Sequence, residues 1–110
     1  MKMPGGGSAI VEIEKLRDYC LSRRHPRGRH KARVFLFALG MTFADAEELR
    51  AALLGAAEKE DAERGTSDQY GIRYIIDFEI IRGERAAGVR SCWIILRDET
   101  VPRFVTCYVL

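Results

Sequence analysis

The hydrophobic pattern changes its period near Gly65, and this change constrains the fold more than any other feature of the chain. Residues 72–81, IRYIIDFEII, alternate with a period of two and are rich in β-branched and aromatic side chains, as in a half-buried strand. Two more strands are predicted at about 87–97 and at 103–109, and a turn at Arg82-Gly83-Glu84 joins the first two. Before Gly65 the apolar residues recur at helical spacing instead.

The first half of the chain predicts three helices: one that ends near residue 22, one over about 30–39, and one from Thr42 to about 60. Pro26 and Gly28 require a loop between the first two, because proline disfavours the helical conformation of the residue before it. Helices followed by a small antiparallel meander of three or more strands make an α+β domain. We assign this single domain to residues 10–110 and expect residues 1–9, MKMPGGGSA, to form a flexible leader.

Composition excludes several classes of protein. Hydrophobic residues make up 47% of the 110 residues, which is typical of a globular chain and not of a disordered one. No apolar run approaches the roughly 18 residues that span a bilayer, and the N-terminus lacks the apolar core of a signal peptide. The three cysteines have no paired spacing and are interpreted as reduced. We therefore expect a cytoplasmic protein with no membrane partner.

Charge is unevenly distributed although the net charge is only +2. Residues 22–33, SRRHPRGRHKAR, hold six Lys or Arg, two His and no acid, whereas residues 45–63 hold seven acids against two bases. Such polarity directs anionic ligands to one side of a molecule.

The basic segment predicts an anion site at the start of the second helix. Lys31 lies where free backbone amides favour a phosphate or carboxylate, and Arg27 and Arg29 add positive charge. His25 and His30 lie in the same positive field, which disfavours the cationic imidazole. A neutral imidazole at pH 7 has the form that a general base requires. An ordinary exposed basic loop, with surface or capping histidines, is the alternative interpretation.

The strand pattern predicts a second set of polar residues on the solvent face of the sheet. Apolar rows must turn towards the helices, since their burial drives folding. Six residues then share the wet face: Arg73, Asp77, Ser91, Trp93, Thr106 and Tyr108. This face is either a solvated sheet or a shallow site for an anion or nucleotide. Asp77 is also expected to pair with Arg73 or Arg90.

Neither a metal nor another cofactor is predicted, because the chain has no HExxH motif, phosphate-binding loop or carboxylate cluster with ligand spacing. The residue types suit RNA cleavage without a metal, which requires a base for the 2′-hydroxyl, donors for the phosphorane charge and an acid for the leaving oxygen. The predicted catalytic residues are His25, Lys31, Arg73, Ser91, Thr106 and Tyr108. The predicted binding residues are Arg27, Arg29, His30, Arg90 and Trp93, with Trp93 and Tyr108 as stacking platforms for an unpaired base.

The segments LRDYCLSRRHPRGRHKARVFLFALG, YGIRYIIDFEI, VRSCWII and PRFVTCYV resemble a bacterial domain family of unknown function. Its pattern combines H-P-x-G-x-x-K-A with Y-G-x-R-Y-x-x-D, R-[ST]-x-W and P-R-x-x-T-x-Y, and the match covers the chain from about residue 13. Members occur alone and as C-terminal domains of polymorphic toxins. The resemblance implies a toxin related to metal-independent ribonucleases of the barnase, EndoU, colicin and RelE kind.

By position, the resemblance marks nine residues as candidates: His25, Lys31, Arg73, Asp77, Arg90, Ser91, Trp93, Thr106 and Tyr108. His30 falls on a variable position. The chain departs from the pattern at SRRHP, where an Asn-Pro or similar turn commonly precedes the histidine.

Three functions therefore remain open. The first is a metal-independent endoribonuclease toxin that acts on RNA and is paired with a small antitoxin or immunity protein. The second is a module that uses the basic loop 23–33 to bind nucleic acid or an acidic protein without catalysis. The third is an antitoxin or immunity protein whose acidic helix, with Glu47, Glu48 and Glu58, forms the interface.

Overall fold

A computed structural model describes all 110 residues as three helices followed by a four-stranded antiparallel sheet, which confirms the α+β prediction. Helix α1, Ile13–Lys15, continues directly as a π-helical turn, Leu16–Cys20. Helix α2 is Arg29–Leu39 and helix α3 is Ala46–Lys59. Strands β1 to β4 are Glu63–Ser67, Gly71–Arg82, Arg85–Leu96 and Arg103–Val109, in that order across the sheet. None of the helices is long and apolar enough to cross a membrane.

The helix ends follow local chemistry. Gly40 ends α2 with φ of 65°, a left-handed conformation that glycine adopts without steric cost. Thr42 and Asp45 form a reciprocal capping box on the 3-10 turn Phe43–Asp45, which leads into α3. These contacts place the second and third helices where the sequence predicts them.

Strand β1 was not predicted from the sequence. Its residues, ERGTS, are exposed throughout and show no hydrophobic alternation. The strand forms because the neighbouring β2 offers an unpaired edge, with Glu63 opposite Ile75 and Arg64 opposite Tyr74. Pairing with an existing edge requires no apolar pattern of its own.

The core lies between one face of the sheet and the helices. Helix α2 packs over β3 and β4, and α3 packs against β2. The largest fully buried side chains are Trp93, Phe35 and Phe104, and the rings of Trp93 and Phe104 meet edge to face at 5.5 Å.

The prediction of which face of β3 is buried was wrong. Trp93 is opposite Tyr74, and Ser91 is opposite Ile76, so both lie on the buried face and have no solvent exposure. Simple alternation with the predicted wet face would place Cys92 and Ile94 inside, but they lie on the outer face, opposite Ile75 and Arg73. Both faces of this strand carry apolar residues, so the register with β2 decides which face is buried, and it buries the one that holds the large indole.

A bulge resets the facing of β4. Cys92 is opposite Thr106 but Trp93 is opposite Phe104, which leaves Val105 as the extra residue on β4. Val105 is consequently exposed, although simple alternation predicts it inside. The same bulge leaves Phe104 and Cys107 on the buried face while Thr106 stays on the outer one.

Residues 1–9, expected as a leader, lie against the domain. Met3 is buried in the core, and the Ala62 amide donates to the Met1 carbonyl at 2.6 Å. A Cβ on Gly6 would lie 2.0 Å from the Ala57 carbonyl oxygen, so only glycine fits this contact with α3. We therefore describe these residues as part of the domain.

Candidate functional site

The Lys31 ammonium is held between a helix and the sheet. Its Nζ donates to the Tyr19 hydroxyl at 3.0 Å and to the Thr106 hydroxyl at 3.1 Å. It also lies 4.8 Å from the Tyr19 ring centroid and 6.0 Å from that of Tyr108. The structure thus brings Lys31, Thr106 and Tyr108 together, as the sequence predicts. No carboxylate lies within 4.0 Å of this half-buried cation.

The local chain path explains how Tyr19 reaches this position. Tyr19 lies on the π-helical turn, and the loop after it returns so closely that a Cβ on Gly28 would lie 2.2 Å from the Tyr19 carbonyl oxygen. Glycine is therefore required there for space and not for its dihedral freedom. The close approach sets the start of α2, and hence Lys31, beside the Tyr19 side chain.

His25 is fixed next to Tyr19 by its own backbone. Its Nδ1 accepts hydrogen bonds from the Arg27 and Gly28 amides, both at 3.0 Å, and its ring meets the Tyr19 ring edge to face at 4.7 Å. An Nδ1 that accepts two N–H groups carries no proton, so the neutral imidazole holds its proton on Nε2. His25 in this state is a hydrogen-bond donor at Nε2, which does not fit the predicted role of general base.

The same contacts change the predicted anion site at the start of α2. The Arg27 and Gly28 amides are already occupied by the imidazole, and the Arg29 amide donates to the His25 carbonyl at 2.9 Å. These three amides are therefore not available to an anion, which leaves the His30 and Lys31 amides and the arginine side chains at this end of α2.

A charged row crosses the outer face of the sheet beside Lys31. Asp77 is opposite Arg90, and Arg90 is opposite Tyr108. Arg90 donates two hydrogen bonds to Asp77, at 2.8 and 2.9 Å, which lowers the pKa of the Asp77 carboxyl. The pKa of Arg90 is raised, first by Asp77 and then by the adjacent Tyr108 hydroxyl. Tyr108 thus lies between two cations, Lys31 and Arg90.

Two buried thiols form the floor beneath Thr106. The Cys20 Sγ lies 3.8 Å from the Thr106 hydroxyl. Hydrogen bonding to Cys107 is the main cause that lowers the pKa of Cys20 to about 7, with smaller contributions from Thr106 and the charge of Lys31. The same thiol contact raises the pKa of Cys107. Both cysteines are buried and therefore belong to the support of the site.

Three predicted site residues lie elsewhere. Ser91 donates to the Ile76 carbonyl at 2.8 Å and accepts the Trp93 indole N–H at 2.9 Å, entirely within the core. Ser91 and Trp93 have no contact with solvent, so Ser91 does not reach a substrate and Trp93 does not stack a base. Arg73 is on the outer face but bonds to Asp68 at 2.7 Å, away from Lys31.

The predicted binding residues are more scattered. Arg27, Arg29 and His30 are exposed around the start of α2, and none of their side chains forms an ion pair in the structure. Arg90 is in the charged row with Asp77.

Tyr19 is the site residue that the sequence did not reveal. Tyr19 shares helical spacing with Leu16 and Cys20, a pattern that indicates a helix and does not indicate a site. A phenol at the rim of an apolar stripe, a few residues before a basic loop, is the signal that was available. No group of three or more His, Cys, Asp or Glu side chains is arranged to hold a metal ion.

Comparisons with known proteins give a family and a fold. One solved structure, described as a contact-dependent growth inhibition toxin–immunity protein complex from Klebsiella pneumoniae 342, contains a similar chain. The TM-score is 0.69 at 17% identity, with 96% of each chain covered, so the likeness establishes a shared fold. A search of curated proteins found no match. The family model described as Domain of unknown function (DUF6883) matches residues 2–110, and the chain therefore belongs to this family.

Proposed function

We propose that this protein is a metal-independent endoribonuclease of the toxin type, with its reactive centre at Lys31. One observation carries the proposal: the half-buried Lys31 ammonium is held by the Tyr19 and Thr106 hydroxyls and has no carboxylate partner. A cation removed from water without a counter-ion is well suited to bind an anion. The phosphate of RNA is such an anion, and its charge grows in the transition state.

The surrounding side chains supply the other groups that this chemistry requires. In the proposed reaction the 2′-hydroxyl attacks the adjacent phosphorus, and the bond to the 5′-oxygen of the next nucleotide breaks. Lys31 stabilises the additional negative charge, and His25 donates a hydrogen bond from Nε2. Tyr108 is the proposed proton carrier: its phenol gives a proton to the departing 5′-oxygen and takes up the proton of the 2′-hydroxyl, and its ring lies 6.0 Å from the Lys31 ammonium with Arg90 beside it. Thr106 and Tyr19 are positioning residues for Lys31.

The fold comparison is consistent with this proposal at a coarser level. The similar chain from Klebsiella pneumoniae 342 comes from a complex of a toxin and an immunity protein. A toxin role for the present chain would include a cognate protein partner that blocks it.

The direct test is cleavage of RNA in the presence of EDTA. We expect purified protein to cut single-stranded RNA and to leave a 2′,3′-cyclic phosphate, and a 2′-deoxy substitution at the cleaved position to stop the reaction. Lys31→Met keeps the length of the side chain without its charge and should lower kcat/KM by a factor of roughly 100 or more. Lys59→Met, at the exposed end of α3, is the matched control and should cleave like the native chain.

The result can contradict the proposal in two ways. RNA that stays intact with folded native protein would exclude the activity. Equal cleavage by Lys31→Met and the native chain would exclude the Lys31 centre.

A second candidate, an immunity-type protein, is favoured by the acidic surface of α3. Glu47 and Glu58 are exposed on α3, which packs against the sheet, and neither forms an ion pair within the chain. Glu48 is already bound to Arg82 at 2.9 Å, so it contributes less than the sequence suggests. Protection of cells by co-expression with a basic toxin, lost in Glu47→Gln/Glu58→Gln, would support this function over the first.

A further inference from the structure

A second basic feature lies on the other flank of α2. A cleft of about 870 Å³ is bounded by the π-helical turn, the loop after it, the first half of α2 and the turn that precedes α3. Five arginines line it: Arg17, Arg23, Arg24, Arg29 and Arg33. Its one acid, Asp18, is already bound to Arg17 at 3.1 Å.

The other four arginines have no partner in the chain. None of them forms an ion pair or a side-chain hydrogen bond. Arg29 and Arg33 are one helical turn apart, so they project from the same side of α2. Like charges crowded around one concavity repel each other, and a bound anion relieves that repulsion.

The walls and rim also hold apolar groups. Leu21, Leu36 and Met41 contribute to the walls, and Phe43 at the rim is 62% exposed. An exposed aromatic ring beside guanidinium groups is a platform on which a base can stack, and planar guanidinium groups bind phosphate through two hydrogen bonds. An acidic protein surface would use the arginines but not the ring.

We propose that this cleft binds single-stranded RNA, as a second site separate from Lys31. The ligand is a phosphate–nucleobase unit, with its phosphates on Arg29 and Arg33 and a base against Phe43. Because a helix with its side chains is only about 10–12 Å across, one strand can cross α2 and reach Lys31 on the opposite flank. The choice of RNA rests on the proposed function, whereas the binding itself does not depend on cleavage.

The test is fluorescence anisotropy with a labelled oligouridine and with an oligomer of the same length that lacks bases. All variants carry Lys31→Met so that binding is measured without cleavage. Arg29→Gln/Arg33→Gln should weaken oligouridine binding roughly tenfold. The slope of log affinity against log salt should fall by about 1.4, from about 0.7 for each lost phosphate contact. Arg64→Gln/Arg97→Gln, which removes two exposed arginines outside the cleft, should leave the affinity unchanged.

Phe43→Ala tests the stacking. It should weaken binding of oligouridine about fivefold or more and leave binding of the base-free oligomer unchanged. Circular dichroism and the thermal midpoint verify that the variants fold, as expected for exposed residues.

The outcomes separate this inference from the proposed function. If RNA binds through the arginines but the native chain never cuts it, the cleft proposal is supported and the nuclease function is excluded. If the native chain cuts RNA but neither Arg29→Gln/Arg33→Gln nor Phe43→Ala weakens RNA binding, the cleft proposal is wrong. Polyglutamate that displaces RNA from the cleft, while Phe43→Ala has no effect, also overturns it in favour of an acidic protein ligand.

Discussion

Ser91→Ala tests whether this serine belongs to the core or to a catalytic site. The hydroxyl donates to the Ile76 carbonyl and accepts the Trp93 indole N–H, and all three residues are fully buried. The substitution leaves the indole N–H without a partner, at a cost of about 1–3 kcal/mol, and loses a second hydrogen bond of about 1 kcal/mol. We expect the free energy of unfolding to fall by roughly 2–4 kcal/mol.

The assay is urea and thermal unfolding followed by tryptophan fluorescence. An entropy of unfolding of about 2.1 cal/mol/K per residue gives roughly 0.23 kcal/mol/K for a chain of this length, so the midpoint should fall by roughly 9–17 °C. Ser67→Ala, on exposed strand β1, is the matched control and should change the free energy by less than about 0.5 kcal/mol. RNA cleavage by the folded fraction of Ser91→Ala should equal that of the native chain.

Two results would refute this reasoning. The first is a change in unfolding free energy as small as that of the control. The second is a double-mutant cycle with Trp93→Phe in which the two substitutions are additive, since removal of the indole N–H should eliminate most of the cost.

Three other substitutions test the site and its support. Gly28→Ala places a Cβ 2.2 Å from the Tyr19 carbonyl oxygen, so we expect a loss of about 1–3 kcal/mol in urea unfolding; native stability would contradict the close approach. Tyr19→Phe removes one hydroxyl from Lys31 and should lower kcat roughly tenfold while the unfolding midpoint changes little; an unchanged kcat would show that Tyr19 does not position Lys31. Arg90 lowers the pKa of Asp77 below its ordinary value of 3.8, so the carboxylate stabilises the fold above that pH and this contribution is lost as the pH falls through the lowered pKa. The stability difference between the native chain and Asp77→Asn should therefore vanish on acidification from about pH 6 to about pH 2, and a constant difference would exclude the linkage.

The sequence by itself determined the kinds of elements and their order, apart from strand β1. Burial of an apolar stripe requires a period of 3.6 in a helix and of two in a strand, and the change near Gly65 separates the two halves. It also placed Lys31 near the start of α2, and Thr106 and Tyr108 on one face of the last strand.

Only the tertiary structure decided which face of each strand is buried and which side chains meet. Strand β3 has apolar residues in both phases, so the burial of Trp93, and with it Ser91, depended on the register with β2. Strand β1 exists because an edge was available. Tyr19 joined Lys31 because the loop closes tightly at Gly28, a contact between residues nine apart that no periodicity encodes. Periodicity reports which side of one element is apolar, whereas a site depends on which elements meet.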